Sequence, residues 1–198
     1  MKDSEGELAV RMAREVVEAE AKGKSTGNVD APESFQEKRG VFVTLHTYPD
    51  NKLRGCIGFP EPIFSLASAL IQASQHACHD PRFKDLHEDE LDDILVEVSI
   101  LTPPEEVTVS DPTNLPDTIL VGQDGLIVER GPFRGLLLPQ VPVEWNWDAE
   151  EFLAQTCLKA GMSPDMWMDK RTTFYTFQAE VFSEETPRGK VSRKDLGE

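Results

Sequence analysis

The chain has 198 residues and a formal net charge of −16, with 39% hydrophobic and 28% charged residues. These values are typical of a globular protein that buries a core as one domain or two lobes. The excess of acids argues against nucleic-acid and anionic-lipid partners, because both bind through Lys and Arg. The chain lacks an uncharged apolar window of about 18 residues, and its acidic start is unlike a signal peptide. We therefore expect a cytoplasmic protein without membrane contact.

Apolar periodicity and turn residues predict the secondary structure. Stripes with i, i+3, i+4 spacing indicate helices, and β-branched runs indicate strands. In chain order the prediction is a helix over 4–23, a loop over 24–38, strands over 41–48 and 53–59, a helix over 63–79, a strand over 94–101, a proline-rich loop over 103–116, strands over 119–122 and 126–130, a glycine-led strand from 135, a helix over 148–160 and a strand over 173–182. The tail 186–198 is basic and almost without apolar residues, which predicts disorder.

One arrangement occurs twice. Residues 41–79 and 119–160 both run strand, turn, strand, proline-bounded bend and helix, and GCIGFPEP is answered by GLLLPQVP. This indicates a degenerate internal duplication in which Cys56 corresponds to Leu136. Hairpin-plus-helix units are common, which leaves an explanation without duplication open as well.

The hexapeptide LRGCIG, residues 53–58, brings a thiol, a guanidinium and two glycines into one strand. Alternate side chains of a strand share a face, so Arg54 and Cys56 are predicted to point the same way. A neighbouring guanidinium favours the nucleophilic thiolate, and Gly55 and Gly58 allow a ligand to approach the backbone. The alternative is a small buried cysteine, with glycines that serve a bulge and an Arg54 that is paired structurally.

A base near Cys56 would strengthen the functional interpretation, and His46 is the nearest histidine. A three-residue hairpin loop places His46 on the Cys56 face, whereas a two- or four-residue loop places it on the other face. Glu97 lies within a buried strand and requires a partner, for which Arg54 and Arg82 are the candidates. Such a pair is either structural or part of a cleft that tunes a site.

The remaining polar candidates divide between structural and functional interpretations. Asp80-Pro81-Arg82-Phe83 is interpreted as a helix end with a salt bridge and an aromatic plug. Cys78 and Cys157 lie on apolar helical stripes and are predicted to be core residues. The widely spaced cysteines indicate neither a disulfide framework nor a zinc site, and they fit a reducing compartment. His76 and His79 lack a matching carboxylate, so no metal is predicted, and no cofactor is predicted either.

LRGCIG followed by a helix, DPRF, EVSIL and GLLLPQV with Glu144 and a nearby Trp resembles the AMMECR-type domain family over residues 5–183. The resemblance implies an α+β fold with a largely antiparallel sheet built from hairpins, helices packed against it, and two unequal lobes. These lobes form a single interleaved domain over 1–185, with LRGCIG near the groove between them. The family's hallmark residues fall on Arg54, Gly55, Cys56, Gly58, Asp80, Arg82, Phe83, Glu97, Pro139, Gln140 and Glu144.

Two functions follow from the motifs and the resemblance. The first is an enzyme or enzyme component with Cys56 as nucleophile and Arg54 as its orienting or activating group. Glu97, together with Asp80 or Glu144, would supply the acid–base groups. The enzyme would transfer an acyl or alkyl group, or act on a small metabolite, in a pathway that the resemblance implies is shared with Memo-type and radical-SAM proteins. The predicted binding residues are Gly55, Gly58, Asp80, Arg82, Gln140 and Glu144. The alternative is a non-catalytic adaptor that recognises a peptide or protein in the groove.

Overall fold

The structure is a computed structural model that describes residues 1–26 and 31–194. Its elements are α1 (Asp3–Ala21), β1 (Val41–Thr47), β2 (Leu53–Phe59), α2 (Leu66–Ala77), β3 (Ile94–Leu101), β4 (Glu105–Glu106), β5 (Gly125–Arg130), β6 (Phe133–Leu137), α3 (Gln140–Glu144), α4 (Ala149–Lys159), β7 (Thr173–Phe177), β8 (Ala179–Glu184) and β9 (Val191–Lys194). Two antiparallel sheets with packed helices confirm the α+β class. Within the described residues, no helix combines the length and apolar character that a bilayer crossing requires.

The chain forms two compact units, of which the first is discontinuous. The first comprises Met1–Leu101 and resumes at Glu180, and the second comprises Thr102–Ala179. The sheet of the first unit has the strand order β2-β1-β3-β8-β9. Strict alternation along β1 sends Val41, Val43 and Leu45 into a core with α1 and α2. The intervening side chains of β1 therefore lie on the opposite face of this sheet.

A buried ion pair ties α1 to the sheet of the first unit. Arg14 and Glu184 are only 5% and 1% exposed, and Arg14 Nε donates to Glu184 Oε1 at 3.0 Å. The second carboxylate oxygen also accepts the Val96 N–H at 3.0 Å, and Arg14 donates to the backbone carbonyl of Ile94 at 2.7 Å. The polar groups of this buried pair are thus hydrogen-bonded, as burial demands.

Two predictions for the C-terminal region are wrong. The predicted single strand 173–182 divides at Gln178 into β7 and β8, which belong to different sheets. At this point the Gln178 backbone exchanges hydrogen bonds with Thr102, through the Thr102 hydroxyl at 2.8 Å and the Thr102 N–H at 2.8 Å. The predicted disordered tail instead contains β9, which pairs with β8, while residues 195–198 lie outside the described residues.

Arg193 explains why a strand so poor in apolar residues is ordered. Its guanidinium donates to the Asp3 carboxylate at 2.9 Å and to Glu180 at 3.1 Å, and it lies 4.5 Å from the centre of the Phe182 ring. These partners are distant in sequence, so local composition does not reveal them. The loop prediction for 24–38 missed a similar long-range contact, because Phe35 is fully buried in the first core; residues 27–30 lie outside the described residues.

The second unit has a smaller sheet of order β4-β7-β5-β6. Its core contains Leu126 and Val128 of β5, Phe174 of β7, and Phe152 of α4. Asp148 caps α4, since its carboxylate accepts the Glu151 N–H at 2.9 Å. Alternation along β5 directs Leu126 and Val128 into this core and places Ile127 on the opposite face of the sheet.

The two units repeat one topology, which supports the predicted duplication, but the predicted strand 119–122 is wrong and the second copy begins at β5. β2-β1-β3 and β6-β5-β7 have the same antiparallel order, each with a helix between its second and third strands. Gly55 faces the end of α2, where an added Cβ would lie 2.4 Å from the Ala77 carbonyl oxygen. Gly135 faces the end of α4 in the same way, 2.6 Å from the Ala160 nitrogen. The registers Leu45↔Gly55 and Val128↔Gly135 then make Cys56 and Leu136 equivalent.

Candidate functional site

The segment after α2 holds the backbone of Cys56 at the edge of the first sheet. Asp80 is 2% exposed, and its Oδ2 accepts the Cys56 N–H at 2.9 Å. Arg82 Nη2 donates to the same oxygen at 2.6 Å and to the Cys56 carbonyl at 3.2 Å. The predicted helix-end salt bridge is therefore present. Its two side chains also form hydrogen bonds with the N–H and the carbonyl of Cys56, which the sequence did not predict.

Asp80 carries a full negative charge in this arrangement. The Arg82 side chain, followed by the N–H groups of Cys56 and Arg82, lowers the pKa of Asp80 well below its usual range, and this effect exceeds the opposing effect of burial. Phe83 lies beside both guanidiniums of the region, with its ring centre 5.7 Å from Arg82 Cζ and 6.0 Å from Arg54 Cζ. This matches the aromatic plug expected of DPRF.

A row of polar side chains crosses three strands on the face of the sheet opposite the helices. Thr44 of β1 pairs with Cys56 of β2 on one side and with Glu97 of β3 on the other. The Thr44 hydroxyl donates to Cys56 Sγ at 3.3 Å. Because the Cys56 backbone points away from β1 to Asp80, this pair is of the non-hydrogen-bonded type, in which side chains approach most closely.

His46 joins this row, which settles the question that the sequence left open. It follows Thr44 by two residues on β1 and therefore shares its face. His46 pairs with Leu53, and Arg54 becomes the extra residue of a bulge, so the bulge rather than the loop length determines the register. His46 Nε2 lies 3.6 Å from Glu97 Oε1, and Nδ1 is buried with no hydrogen-bond partner among the described residues.

Arg54 is paired with a carboxylate, and its predicted role in orienting or activating Cys56 stays a prediction. Its guanidinium forms a two-pronged ion pair with Glu90, with Nε–Oε2 at 2.7 Å and Nη2–Oε1 at 2.9 Å. This pair raises the pKa of Arg54 and lowers that of Glu90. The predicted pairing of Glu97 with Arg54 or Arg82 is wrong, because both arginines have nearer carboxylates and the partner of Glu97 is His46.

The two glycines of LRGCIG serve internal packing, and their predicted role in ligand binding stays a prediction. Gly55 admits the Ala77 carbonyl of α2, as described above. A Cβ on Gly58 would lie 2.4 Å from the Phe42 ring, so the absence of a side chain lets that ring lie across the strand. The buried thiols are equally structural: burial raises the pKa of Cys78 to about 12 and that of Cys157 to about 11.

Gln140 and Glu144 lie in the second unit, at the two ends of the five-residue helix α3, and both are exposed. Trp145 directly after them is 67% exposed and stacks on Trp147, with ring centres 6.1 Å apart. Trp147 packs partly against the core of the second unit. The predicted role of Gln140 and Glu144 in ligand binding stays a prediction.

The second unit shows which side chains the shared scaffold accepts at the positions of the polar row. The equivalents of Cys56, Thr44 and Glu97 are Leu136, Ile127 and Tyr175, as the registers of the two sheets show. Ile127 is 1% exposed, so an apolar side chain fits this position of the scaffold. The sequence analysis missed Thr44, although strand alternation and the Leu136 equivalence together could have identified it once the register was known.

Comparisons with known proteins extend over nearly the whole chain. The AMMECR1 family model matches residues 10–182. Protein MJ0810 of Methanocaldococcus jannaschii is 54% identical over 193 residues, covering 97% of this chain and 96% of that protein. Protein PH0010 of Pyrococcus horikoshii is 53% identical over 202 residues, covering 99% of this chain and 98% of that protein. The crystal structure of uncharacterized protein PH0010 matches with a TM-score of 0.81 and 52% identity, over 98% of both chains.

Proposed function

The chain belongs to the AMMECR1 family, and from that premise and the geometry of the first sheet we propose that it is a thiol enzyme with Cys56 as nucleophile. The observation that carries the proposal is the row Cys56–Thr44–Glu97 with His46 beside it on one sheet face. Nucleophilic catalysis requires a thiol, a base within reach, and a group that orients the base. In the proposal Cys56 supplies the thiol, His46 the base and Glu97 the group that orients the base, while the Thr44 hydroxyl donates to the sulfur.

His46 is the proton acceptor in this proposal. Its ring and the Cys56 side chain are diagonal neighbours on adjacent strands, a relation that places Cα atoms about 7–8 Å apart. Nδ1 is free to accept the thiol proton, while Glu97 faces Nε2 and stabilises the imidazolium that forms. Hydrogen bonds of this kind are often long in unliganded enzymes and shorten when substrate binds.

Thr44, Asp80 and Arg82 position the thiol. The Thr44 hydroxyl directs a proton towards the sulfur, which stabilises the thiolate as it develops. Asp80 and Arg82 hold the backbone at the edge strand, so they act through Cys56. The equivalents of Thr44 and Cys56 in the second unit, Ile127 and Leu136, support this interpretation, because they show that the fold does not require polar side chains at these two positions.

The proposed substrate class, compartment and pathway partners are those that the sequence indicated. The substrate is a small molecule, and the reaction takes place in the cytoplasm, where reducing conditions keep thiols free. Memo-type and radical-SAM proteins are the proposed pathway partners, and Gln140 and Glu144 are proposed to contribute to binding. No metal or cofactor forms part of the proposal.

The test is the rate at which iodoacetamide alkylates Cys56, followed by peptide mass spectrometry in wild-type protein and in the variant His46→Gln. Removal of a general base should slow the Cys56 reaction at neutral pH by at least about tenfold. His76→Gln is the matched control, because His76 is an exposed histidine on α2. Cys78 and Cys157 serve as internal references for buried thiols within the same digest.

Equal alkylation rates in wild type, His46→Gln and His76→Gln would contradict the proposed base. A Cys56 that stays unmodified in the folded protein, or reacts only above about pH 8.5 like an ordinary thiol, would contradict the nucleophile itself.

A non-catalytic adaptor is the second candidate, and a different observation favours it. Four large apolar side chains of the second unit, Leu120, Val121, Val143 and Trp145, are 38–67% exposed. Exposed apolar groups of this kind are a common feature of protein-binding surfaces. If Cys56→Ser retains every cellular phenotype of the wild type while Trp145→Ala loses it, the adaptor function is favoured over catalysis.

A further inference from the structure

Cys56 differs from the usual acyl-transfer nucleophile in the state of its own backbone N–H. That group donates to the buried Asp80 carboxylate at 2.9 Å. The neighbouring Gly55 and Ile57 pair with Leu45 and Val43, and strand alternation directs their N–H groups towards β1. The backbone donors of Gly55, Cys56 and Ile57 are therefore all committed within the protein.

Acyl transfer needs such donors. The attack of a thiol on a carbonyl carbon places a negative charge on oxygen, and enzymes stabilise it with two preorganised donors, one of which is commonly the N–H of the nucleophile or its neighbour. At Cys56 the position next to this N–H is occupied by a carboxylate held ionised by Arg82. Glu97 adds a second carboxylate to the same row. An oxyanion beside this N–H would thus meet a carboxylate oxygen of the Asp80–Arg82 pair where it requires a hydrogen-bond donor.

From this arrangement we infer that the substrates of the proposed Cys56 enzyme are alkyl electrophiles, which react at a saturated carbon, rather than acyl donors. The inference rests on the proposed function and narrows its substrate class. Substitution at saturated carbon forms no tetrahedral intermediate and so no oxyanion on the attacked carbon. Such a reaction does not need the Cys56 N–H that donates to Asp80. The hydrogen bond from the Cys56 N–H to Asp80 would slow a reaction that passes through a tetrahedral intermediate, because this N–H could not stabilise the oxyanion.

The proposed step is balanced with groups that the structure contains. A sulfur electron pair of Cys56 forms a bond to the saturated carbon as the bond from that carbon to its leaving group breaks. The leaving group departs with the bonding electron pair. The thiol proton passes to His46, whose imidazolium faces Glu97. No change of oxidation state occurs, so no oxidant or reductant is needed.

The experiment compares two probes on the full-length protein. Iodoacetamide reports alkylation and p-nitrophenyl acetate reports acylation, with each Cys56 adduct quantified by peptide mass spectrometry and N-acetylcysteine amide as the reference thiol. We expect the ratio of the acylation rate to the alkylation rate to be at least about tenfold lower at Cys56 than in the reference, as expected where an oxyanion lacks a donor.

Asp80→Ala frees the Cys56 N–H and should raise the ratio towards that of the reference thiol. Asp169→Ala is the matched control, because Asp169 binds Arg171 with the same Asp-x-Arg geometry but holds the Arg130 side chain rather than a cysteine backbone. If Asp80→Ala fails to fold, the wild-type ratio decides alone.

Each outcome has one meaning. Rapid alkylation with a depressed ratio supports the inference. A ratio equal to or above that of the reference thiol overturns it while leaving the nucleophile in place. A folded protein in which neither probe modifies Cys56 overturns the proposed function, and the inference with it.

Discussion

Neutralising Glu184 should destabilise the first unit more than any surface change of the same chemistry. Glu184→Gln keeps the size of the side chain but removes the charge that faces Arg14, and both residues are at least 95% buried. The guanidinium would remain in the core without its counter-ion, although Leu91 and Ile94 would still accept two of its hydrogen bonds. Removing one partner of a buried pair costs about 3–5 kcal/mol.

The assay is urea-induced unfolding followed by far-ultraviolet circular dichroism, with thermal unfolding alongside. For a chain of this length, about 3–5 kcal/mol corresponds to a fall in Tm of about 6–20 °C. The control is Glu185→Gln, next in sequence, whose pair with Lys190 is exposed and whose loss should cost less than about 0.5 kcal/mol. If the two variants lost the same small amount of stability, the reasoning that places Glu184 in a desolvated pair would be refuted.

Three further predictions follow from individual contacts. Hydrogen bonds with Asp85 and Glu20 raise the pKa of the half-exposed His79. The stabilising effect of His79 should therefore be complete below its unfolded pKa of about 6.5 and disappear as pH rises through its folded pKa. In urea unfolding, His79→Gln should lower the free energy of unfolding by less than about 1 kcal/mol at about pH 6 and leave it unchanged near pH 9. Gly55→Ala and Gly135→Ala should each cost about 1–3 kcal/mol in the same assay, because both place a methyl group against a helix end, and an unchanged stability in either would contradict their equivalence. Arg54→Gln should leave the alkylation rate of Cys56 close to that of wild type, because the guanidinium of Arg54 is already paired with Glu90. A fall in this rate as large as that in His46→Gln would instead identify Arg54 as the activating group.

Elements defined by local chemistry were predictable from the sequence. β3 matches its prediction over 94–101, because a β-branched run at the centre of a sheet is nearly continuously apolar. The hairpin of β1 and β2 was predictable from its turn, where Asn51 adopts the left-handed backbone conformation with φ of 53°. The cap at Asp148 is local in the same way.

Features that depend on partners distant in sequence were not predictable. The face of His46 depends on a bulge at Arg54, and a single extra residue reverses the face of every side chain beyond it. The partner of Arg54 proved to be Glu90, one of five closely spaced acids that the sequence alone cannot rank. The order of β9 likewise depends on contacts with residues more than 100 positions away.

The central claim is that the polar pair Thr44–Cys56 of the row serves chemistry and that the fold does not require it. The most direct measurement is the free energy of unfolding of the double variant Thr44→Val, Cys56→Val, which gives the row the apolar character of Ile127 and Leu136. Replacing both partners of a hydrogen bond by apolar groups of similar shape is close to neutral or stabilising. We predict a stability within about 1 kcal/mol of wild type or higher, together with loss of the reactive thiol. A loss of more than about 3 kcal/mol, in the range of core disruption, would show that the row is a packing requirement and contradict the account.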